Sequence, residues 1–187
     1  KRIYEPACFM DYVMVFVGQE GIGKSKMLNK LAVNNEWYAG DCPIVGKEAF
    51  ENIRGKWIVE MAELRDINKR DSGTVKSFIS KTSDYYRAAY DRYPQDQPRQ
   101  CVFFGSGNDV SFLKGIGGDR RFLPVEVSEE RKTKNWDLYT REDIDNVYAE
   151  AKHYYMQGMK LMLPEDIVPL AQAKQREHTE EDAWDDY

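Results

Sequence analysis

The segment GQEGIGKS at residues 18–25 matches the phosphate-binding pattern G-x-x-x-x-G-K-[S/T] at every fixed position. Glycines let main-chain amides approach phosphate oxygens, and a helix that begins at the lysine directs free amides at the same anion. In this pattern Lys24 contacts the β- and γ-phosphates and the Ser25 hydroxyl binds Mg²⁺. We therefore predict a nucleotide phosphate site formed by Gly18, Gln19, Glu20, Gly21, Ile22, Gly23, Lys24, Ser25 and Lys26.

A second apolar run, residues 57–62, carries Glu60 and is followed by Glu63. We expect this acidic strand to lie parallel and next to the strand before the loop, because a P-loop ATPase needs an acidic strand end that faces the metal ion and the attacking water. A buried carboxylate also needs a partner or a nearby cation. Residues three apart point to opposite faces of a strand, so both acids cannot face one metal ion in ideal geometry. We assign water activation to Glu63, at the carboxyl end where such sheets bind ligands, and we count it with Ser25 and Glu60 among the candidate Mg²⁺ ligands. Glu60 is a metal ligand, a buried partner of a base, or a solvated acid on an edge strand.

A third apolar run, residues 101–105, is followed by Ser-Gly-Asn-Asp. Asn108 then lies just beyond a strand, where its amide can hydrogen-bond the γ-phosphate or hold the attacking water. Gly-Asn-Asp is also a common turn sequence. Beside a phosphate loop we favour the functional interpretation of Asn108.

Two arginines, Arg120 and Arg121, follow a glycine-rich loop and precede the apolar run at residues 122–127. An arginine at such a junction can reach the γ-phosphate bound by a neighbouring subunit and stabilise the transition-state charge. The alternative is a salt bridge from Asp119 to one arginine, with the other in solvent.

The formal net charge is −5, and five acids in residues 178–187 account for all of it. Because the charges of residues 1–177 cancel, the chain is not a uniformly basic nucleic-acid-binding protein. Any nucleic-acid contact must come from a local patch, and residues 65–99 offer eight bases, five acids and four tyrosines. Lys, Arg and Tyr suit phosphate neutralisation and base stacking. Our candidates for nucleic-acid contact are Lys76, Lys81, Arg87 and Arg92, although the arginines equally suit a nucleotide or a neighbouring subunit and Lys76 a solvated helix position.

Short apolar runs alternate with helix-like segments along residues 12–127, which predicts an α/β fold with a parallel sheet and helices on both faces. We expect strands at residues 12–17, 57–62, 101–105 and 122–127, and helices at 24–33, 47–53 and 73–80. Two further helices are expected at 141–157, opened by Thr140, and at 164–177, with Pro164 in the first turn.

The chain has 187 residues, 42% of them hydrophobic and 32% charged, which suits one domain with an appendage and excludes wholesale disorder. No apolar stretch is long enough to cross a bilayer. Three separated cysteines and two histidines argue against a disulfide framework or a zinc site, so we expect a cytoplasmic protein.

We expect a lead-in at residues 1–11, an ATPase domain at 12–128 and a helical segment with an acidic tail at 129–187. Both ends suggest a piece of a longer protein.

The order of these motifs resembles the virulence-associated E family, helicase-like ATPases of phages and plasmids that are related to superfamily 3 helicases and so to the AAA+ class. The most specific matches are the Gly-Lys-Trp strand and the Asp-Arg-Arg-Phe-Leu-Pro-Val segment. The matching residues are 18–25, 55–64, 75–80, 98–103, 107–109 and 118–125.

This resemblance implies a three-layer P-loop ATPase domain of AAA+ type that uses ATP and Mg²⁺. It implies a ring, hexameric in such proteins, that acts on DNA during replication of a mobile element. Glu63 would be the Walker B glutamate, Asn108 the sensor and Arg120 or Arg121 the arginine finger. The position before Glu63 departs from the pattern, because many superfamily 3 members have an acid where this chain has Ala62. Residues 81–92 fall where related helicases place a pore hairpin that grips single-stranded DNA.

Two other functions share the phosphate loop. A small-molecule or nucleoside kinase would use Arg87, Arg92 and Arg99 as lid arginines over the phosphates. A nucleotide-dependent binding module that interferes with a partner replication machine would need no turnover.

Overall fold

Five parallel strands form the central sheet in the computed structural model, which describes residues 1–43, 46–61, 72–87, 91–108 and 119–177. The strands are β1 (Val13–Val17), β2 (Tyr38–Ala39), β3 (Ile58–Met61), β6 (Val102–Gly107) and β7 (Phe122–Glu126), in the spatial order β2-β3-β6-β1-β7. The expected strands are therefore confirmed, each with slightly shifted ends. Strand β2 was not expected from the sequence.

The acidic strand is not the neighbour of the strand before the phosphate loop, and that expectation was wrong. Strand β6 lies between them, with Val17 of β1 beside Gly107 and Met61 of β3 beside Gly105. All the pairings in the described part of this sheet are parallel. The carboxyl ends of β1, β3 and β6 therefore meet at one edge, with the end of β6 in the middle.

Helices cover both faces of the sheet, as predicted. They are α1 (Lys24–Leu31), α2 (Lys47–Asn52), α3 (Ser72–Ser80), α4 (Arg141–Met156) and α5 (Val168–Glu177). The Thr140 side chain and the Asp143 carboxylate form a reciprocal capping box that fixes the start of α4. Helix α5 begins four residues later than expected, because the Pro164 carbonyl accepts the amides of Ile167 and Val168 in a preceding turn.

The alternation of side chains along β1 divides the core into two clusters. Val13, Val15 and Val17 pack in the cluster that contains residues of α2 and α3, whereas Phe16 packs with Leu28 of α1. Successive side chains of a strand point to opposite faces, so this division is what a doubly covered sheet requires. On β3, Ile58 lies in the α1 cluster and Val59 in the other. Glu60 therefore shares its face with Ile58 and α1.

An antiparallel hairpin stands apart from the central sheet. It consists of β4 (Ser83–Tyr86) and β5 (Gln95–Pro98). Strand β4 lies within residues 81–92, where the family resemblance places a pore hairpin, whereas β5 lies beyond that segment. Its base is joined to the core by Arg99, which is buried and makes two hydrogen bonds to the Asp84 carboxylate of β4. No helix among the described residues is long and apolar enough to cross a membrane.

Candidate functional site

The predicted phosphate loop connects β1 to α1, as its motif requires. Gly21 and Gly23 have φ values of 81° and 100°, in the left-handed region that favours glycine. No side chain caps the amino end of α1. Helix termini leave their first amides without helical partners, and these amides favour an anion. The loop therefore places free amides of the α1 amino end where they can bind an anion.

The Lys24 side chain folds back over this loop. Its ammonium donates to the carbonyl oxygens of Gly18, at 2.6 Å, and Gln19, at 3.0 Å. Burial lowers the pKa of Lys24, and the carboxylates of Glu60 and Glu20 partly oppose that shift. A partly desolvated cation gains from a polyanion, because the anion compensates for the water lost on burial.

The Glu60 carboxylate lies directly behind the loop. It is 2% exposed, and its Oε1 accepts a hydrogen bond of 2.8 Å from the Ser25 hydroxyl. Its Oε2 accepts from the Tyr38 hydroxyl of β2, and burial together with this bond raises the pKa of Tyr38. The tyrosine thus stays a donor. Burial rules out the solvated edge-strand interpretation of Glu60, and the hydroxyl and carboxylate oxygens are ligands of the type that Mg²⁺ prefers.

The end of β6 reaches the start of the loop. The Gly18 amide donates to the Gly107 carbonyl at 3.2 Å, so the next residue, Asn108, lies at the same edge as the loop. A Cβ at Gly18 would overlap the Val127 carbonyl, which explains the glycine there. The other predicted catalytic acid, Glu63, lies outside the described residues, and its water-activating role stays a prediction.

A crossing segment, residues 128–139, passes over α1 and the loop after β7. Its Lys134 bonds to Asp143 of α4, and its Asp137 forms an ion pair with Lys26. The Trp136 indole covers Gly23 so closely that a Cβ there would overlap the ring. Between this segment and the loop lies a cavity of about 260 Å³.

The predicted finger arginines lie at the amino ends of the strands, next to the start of β1 and opposite the end that carries the phosphate loop. The Arg121 carbonyl accepts from the Val13 amide, at 2.7 Å. Arg121 bonds to Asp119, Asp11 and Ser80, and its side chain is 23% exposed. Arg120 also pairs with Asp11, at 2.9 Å, but its side chain is 60% exposed. The Asp119–Arg121 salt bridge is the one that the sequence offered as an alternative.

The predicted nucleic-acid residues fall in two places. Lys81, Arg87 and Arg92 are exposed at or near the β4–β5 hairpin. The Arg92 guanidinium lies 5.4 Å from the ring centroid of Tyr93, which is also exposed. Lys76 is on α3 and pairs with Asp119 at 3.3 Å, so it belongs to the cluster around Arg121 instead of the hairpin.

Arg99 is not available as a lid arginine. Its guanidinium is buried against Asp84 and lies 4.4 Å from the centroid of the Phe78 ring. One of the three arginines required by the kinase interpretation is therefore structural.

Sequence reasoning missed two residues of this site, Tyr38 and Trp136. Tyr38 lies in a strand of two residues, and Trp136 is part of a short 3₁₀ turn (Trp136–Leu138) that no motif marks. The sequence feature that could have pointed to Trp136 is the pair of aromatic residues, Trp136 and Tyr139, next to the basic residues Arg131, Lys132 and Lys134.

Two solved structures described as the apo A form of the NrS-1 C-terminal region share this fold. Their TM-scores are 0.50 and 0.53, with 18% and 17% sequence identity over 91% and 95% of this chain. The chain spans only 43% and 44% of their length. Curated proteins yielded no match. The model of the virulence-associated protein E-like domain matches residues 1–180. This match confirms the resemblance that the motifs indicated, and the chain belongs to the virulence-associated protein E-like domain family.

Proposed function

We propose that this domain binds ATP with Mg²⁺ and hydrolyses it as a helicase-like motor that acts on DNA during replication of a phage or other mobile element. One observation carries the proposal above all: the Ser25 hydroxyl of an unbroken phosphate-loop motif contacts a buried carboxylate, Glu60, on a separate strand. A carboxylate that is 2% exposed and has hydroxyl donors but no ion pair among the described contacts is well suited to a metal ion.

In this proposal each residue has a defined task. The loop amides and Lys24 bind the phosphate oxygens, and Lys24 exchanges its two carbonyl acceptors for the β- and γ-phosphates. Ser25 and Glu60 would hold Mg²⁺, which neutralises charge on those phosphates. Glu63 takes a proton from the attacking water as the water oxygen bonds to the γ-phosphorus. The bond from the γ-phosphorus to the β–γ bridging oxygen breaks, and ADP and inorganic phosphate leave.

The strand order supports the sensor role of Asn108. Because β6 lies between β1 and β3, Asn108 follows a strand end that is flanked by the loop on one side and by the acidic strand on the other. An amide there reaches both the γ-phosphate and a water molecule in front of it. This middle position is the reason that we favour function over an ordinary turn.

The arginines support a shared site between subunits. Arg120 and Arg121 lie at the amino end of β7, whereas the loop lies at the carboxyl end of β1. Each strand has five residues, so at about 3.3 Å per residue the two ends of the strands lie roughly 15 Å apart. Neither arginine is placed to contact the triphosphate bound by its own loop. A finger role therefore requires an oligomer, for which we propose a ring, and the more exposed Arg120 is better placed to reach a neighbour.

The hairpin supports contact with single-stranded DNA. Lys81, Arg87 and Arg92 offer charges to the backbone, and the exposed rings of Tyr85 and Tyr93 offer stacking surfaces. The acids Asp91 and Asp96 lie in the same segment, so contact is expected from particular side chains and not from a uniformly basic surface.

We expect ATP turnover per chain to rise with protein concentration and to rise further with single-stranded DNA, because the finger comes from a second subunit and the hairpin senses DNA. Phosphate release over a dilution series, with and without DNA, measures both effects. Lys24→Ala is the control for contaminating activity. Turnover that is independent of concentration and of DNA would contradict the motor, whereas transfer of phosphate to an added acceptor would favour the kinase.

A further inference from the structure

The cavity beside the phosphate loop has a chemistry that phosphate binding does not use. One side is formed by Ile22 and Lys24 of the loop and by Met27 of α1. The other side is formed by Trp136 and Tyr139, whose ring centroids lie 4.8 Å apart with an angle of 25° between the planes. We call this pair of rings the aromatic wall. The cavity is also lined by the basic residues Arg131, Lys132 and Lys134. Those side chains suit an anion, whereas the aromatic wall suits a flat, apolar group.

The aromatic wall is held in place from several directions. The Lys30 ammonium of α1 donates to the Tyr139 carbonyl at 2.8 Å, and Lys26 pairs with Asp137 at 3.4 Å. The Trp136 ring rests on Gly23. Because these anchors belong to the loop and to α1, the wall has a fixed distance from the phosphate site, and a ligand does not have to order it.

The position of the cavity identifies what it can receive. Lys24 lines both the phosphate loop and the cavity, so a molecule that extends from the loop past Ile22 and Met27 enters directly between these residues and the aromatic wall. The part of a nucleoside triphosphate that extends beyond its phosphates is a sugar with a flat aromatic base. Bases stack on tryptophan and tyrosine rings with a substantial gain in affinity.

We infer that this cavity is the nucleoside site, in which the aromatic wall stacks against the base and selects purine nucleoside triphosphates. The two fused rings of a purine cover more of the indole than a pyrimidine does. This inference rests on the proposed function, since it requires the triphosphate to lie in the loop.

The test compares ATP, CTP and inorganic tripolyphosphate as ligands, by calorimetric titration in the presence of Mg²⁺. The parent protein is expected to bind ATP more tightly than CTP, and CTP more tightly than tripolyphosphate. Trp136→Ala is expected to weaken ATP binding about tenfold or more, the typical effect of losing one stacking partner, and to leave tripolyphosphate binding unchanged. Trp136→Phe should retain most of the ATP affinity because it retains a ring.

Leu138→Ala is the matched control. Leu138 lies in the same 3₁₀ turn as Trp136 but is 64% exposed and does not line the cavity, so its ATP affinity should equal that of the parent. Thermal melting of each variant shows whether the fold is kept. Parent-like ATP binding by Trp136→Ala would overturn the inference, as would an equal loss for ATP and tripolyphosphate. If the parent protein binds tripolyphosphate as tightly as ATP, only the inferred nucleoside site is contradicted. If it binds neither ligand, the proposed function is contradicted as well.

Discussion

Glu60→Gln is expected to lower Mg²⁺-dependent ATP hydrolysis by roughly 100-fold or more, a loss typical of removing a group that holds transition-state charge or its metal ion. The glutamine has the size of the glutamate, its one carbonyl oxygen can still accept from one of the two hydroxyls of Ser25 and Tyr38, and its amide can donate to the other, so the fold should be kept. The negative charge and one acceptor are removed. Without the carboxylate, the cation loses a charged ligand from the protein side, and the γ-phosphate is less well neutralised.

The matched control for this substitution is Glu48→Gln, on the exposed surface of α2, which should hydrolyse at the parent rate. Steady-state phosphate release against Mg²⁺ concentration is the measurement for both variants. ATP binding in the presence of EDTA should be equal in Glu60→Gln and parent, because the loop amides and Lys24 are unchanged. Hydrolysis by Glu60→Gln at the parent rate would show that the carboxylate behind Ser25 has no part in the metal site.

Asp84→Ala is expected to destabilise the protein by about 3–5 kcal/mol, the cost of leaving one member of a buried ion pair without its partner. The Arg99 guanidinium is 3% exposed and donates to both carboxylate oxygens, at 2.6 and 2.7 Å. Within the part of the chain that the structure describes, its other contacts are the Phe78 carbonyl and the rings of Phe78 and Phe103. None of these carries a countercharge. Urea unfolding followed by circular dichroism gives the free energy of unfolding.

Asp96→Ala in the partner strand β5 is the control, since Asp96 is exposed and its loss should change the free energy of unfolding by less than about 0.5 kcal/mol. The double variant Asp84→Leu, Arg99→Met should recover much of the loss, because replacing both charges with apolar groups removes the desolvation penalty. A loss below about 1 kcal/mol for Asp84→Ala would mean that the pair does not hold the hairpin to the core.

The central sheet was predictable because its strands carry their own signal. Each of β1, β3, β6 and β7 is a short run rich in apolar residues. Strands β1, β3 and β6 are buried or half-buried at nearly every position, as that composition predicts, whereas on β7 only Phe122 is buried. Strand β2 has two residues, Tyr38 and Ala39, and no pattern can define so short an element. The hairpin strands SDYY and QDQP are mostly polar, and they are held by the Asp84–Arg99 pair, which the sequence does not mark. The strand order was missed for a similar reason, since nothing local records which strand lies between two others.

In the candidate site, too, the features marked by local sequence could be predicted and those set by tertiary contacts could not. Lys24 and Ser25 could be proposed from the sequence because the whole phosphate-loop motif lies within eight consecutive residues. The hydrogen bonds to Glu60 connect residues 35 and 22 positions apart, and the Arg120–Asp11 pair spans 109 positions. Such contacts depend on the tertiary fold, so sequence could offer Glu60 several roles and could not choose among them. For the same reason, sequence could not separate the exposed Arg120 from the enclosed Arg121.

Calorimetric titration of the purified protein with Mg²⁺ and ATP, beside Lys24→Ala, tests most directly whether the loop at residues 18–25 binds a nucleoside triphosphate. We predict saturable binding of one nucleotide per chain by the parent. Lys24→Ala should bind at least about tenfold more weakly, since the charge-assisted bonds from the ammonium to the phosphates are lost. No heat from any ribonucleoside triphosphate, or equal titrations for the two proteins, would contradict the account.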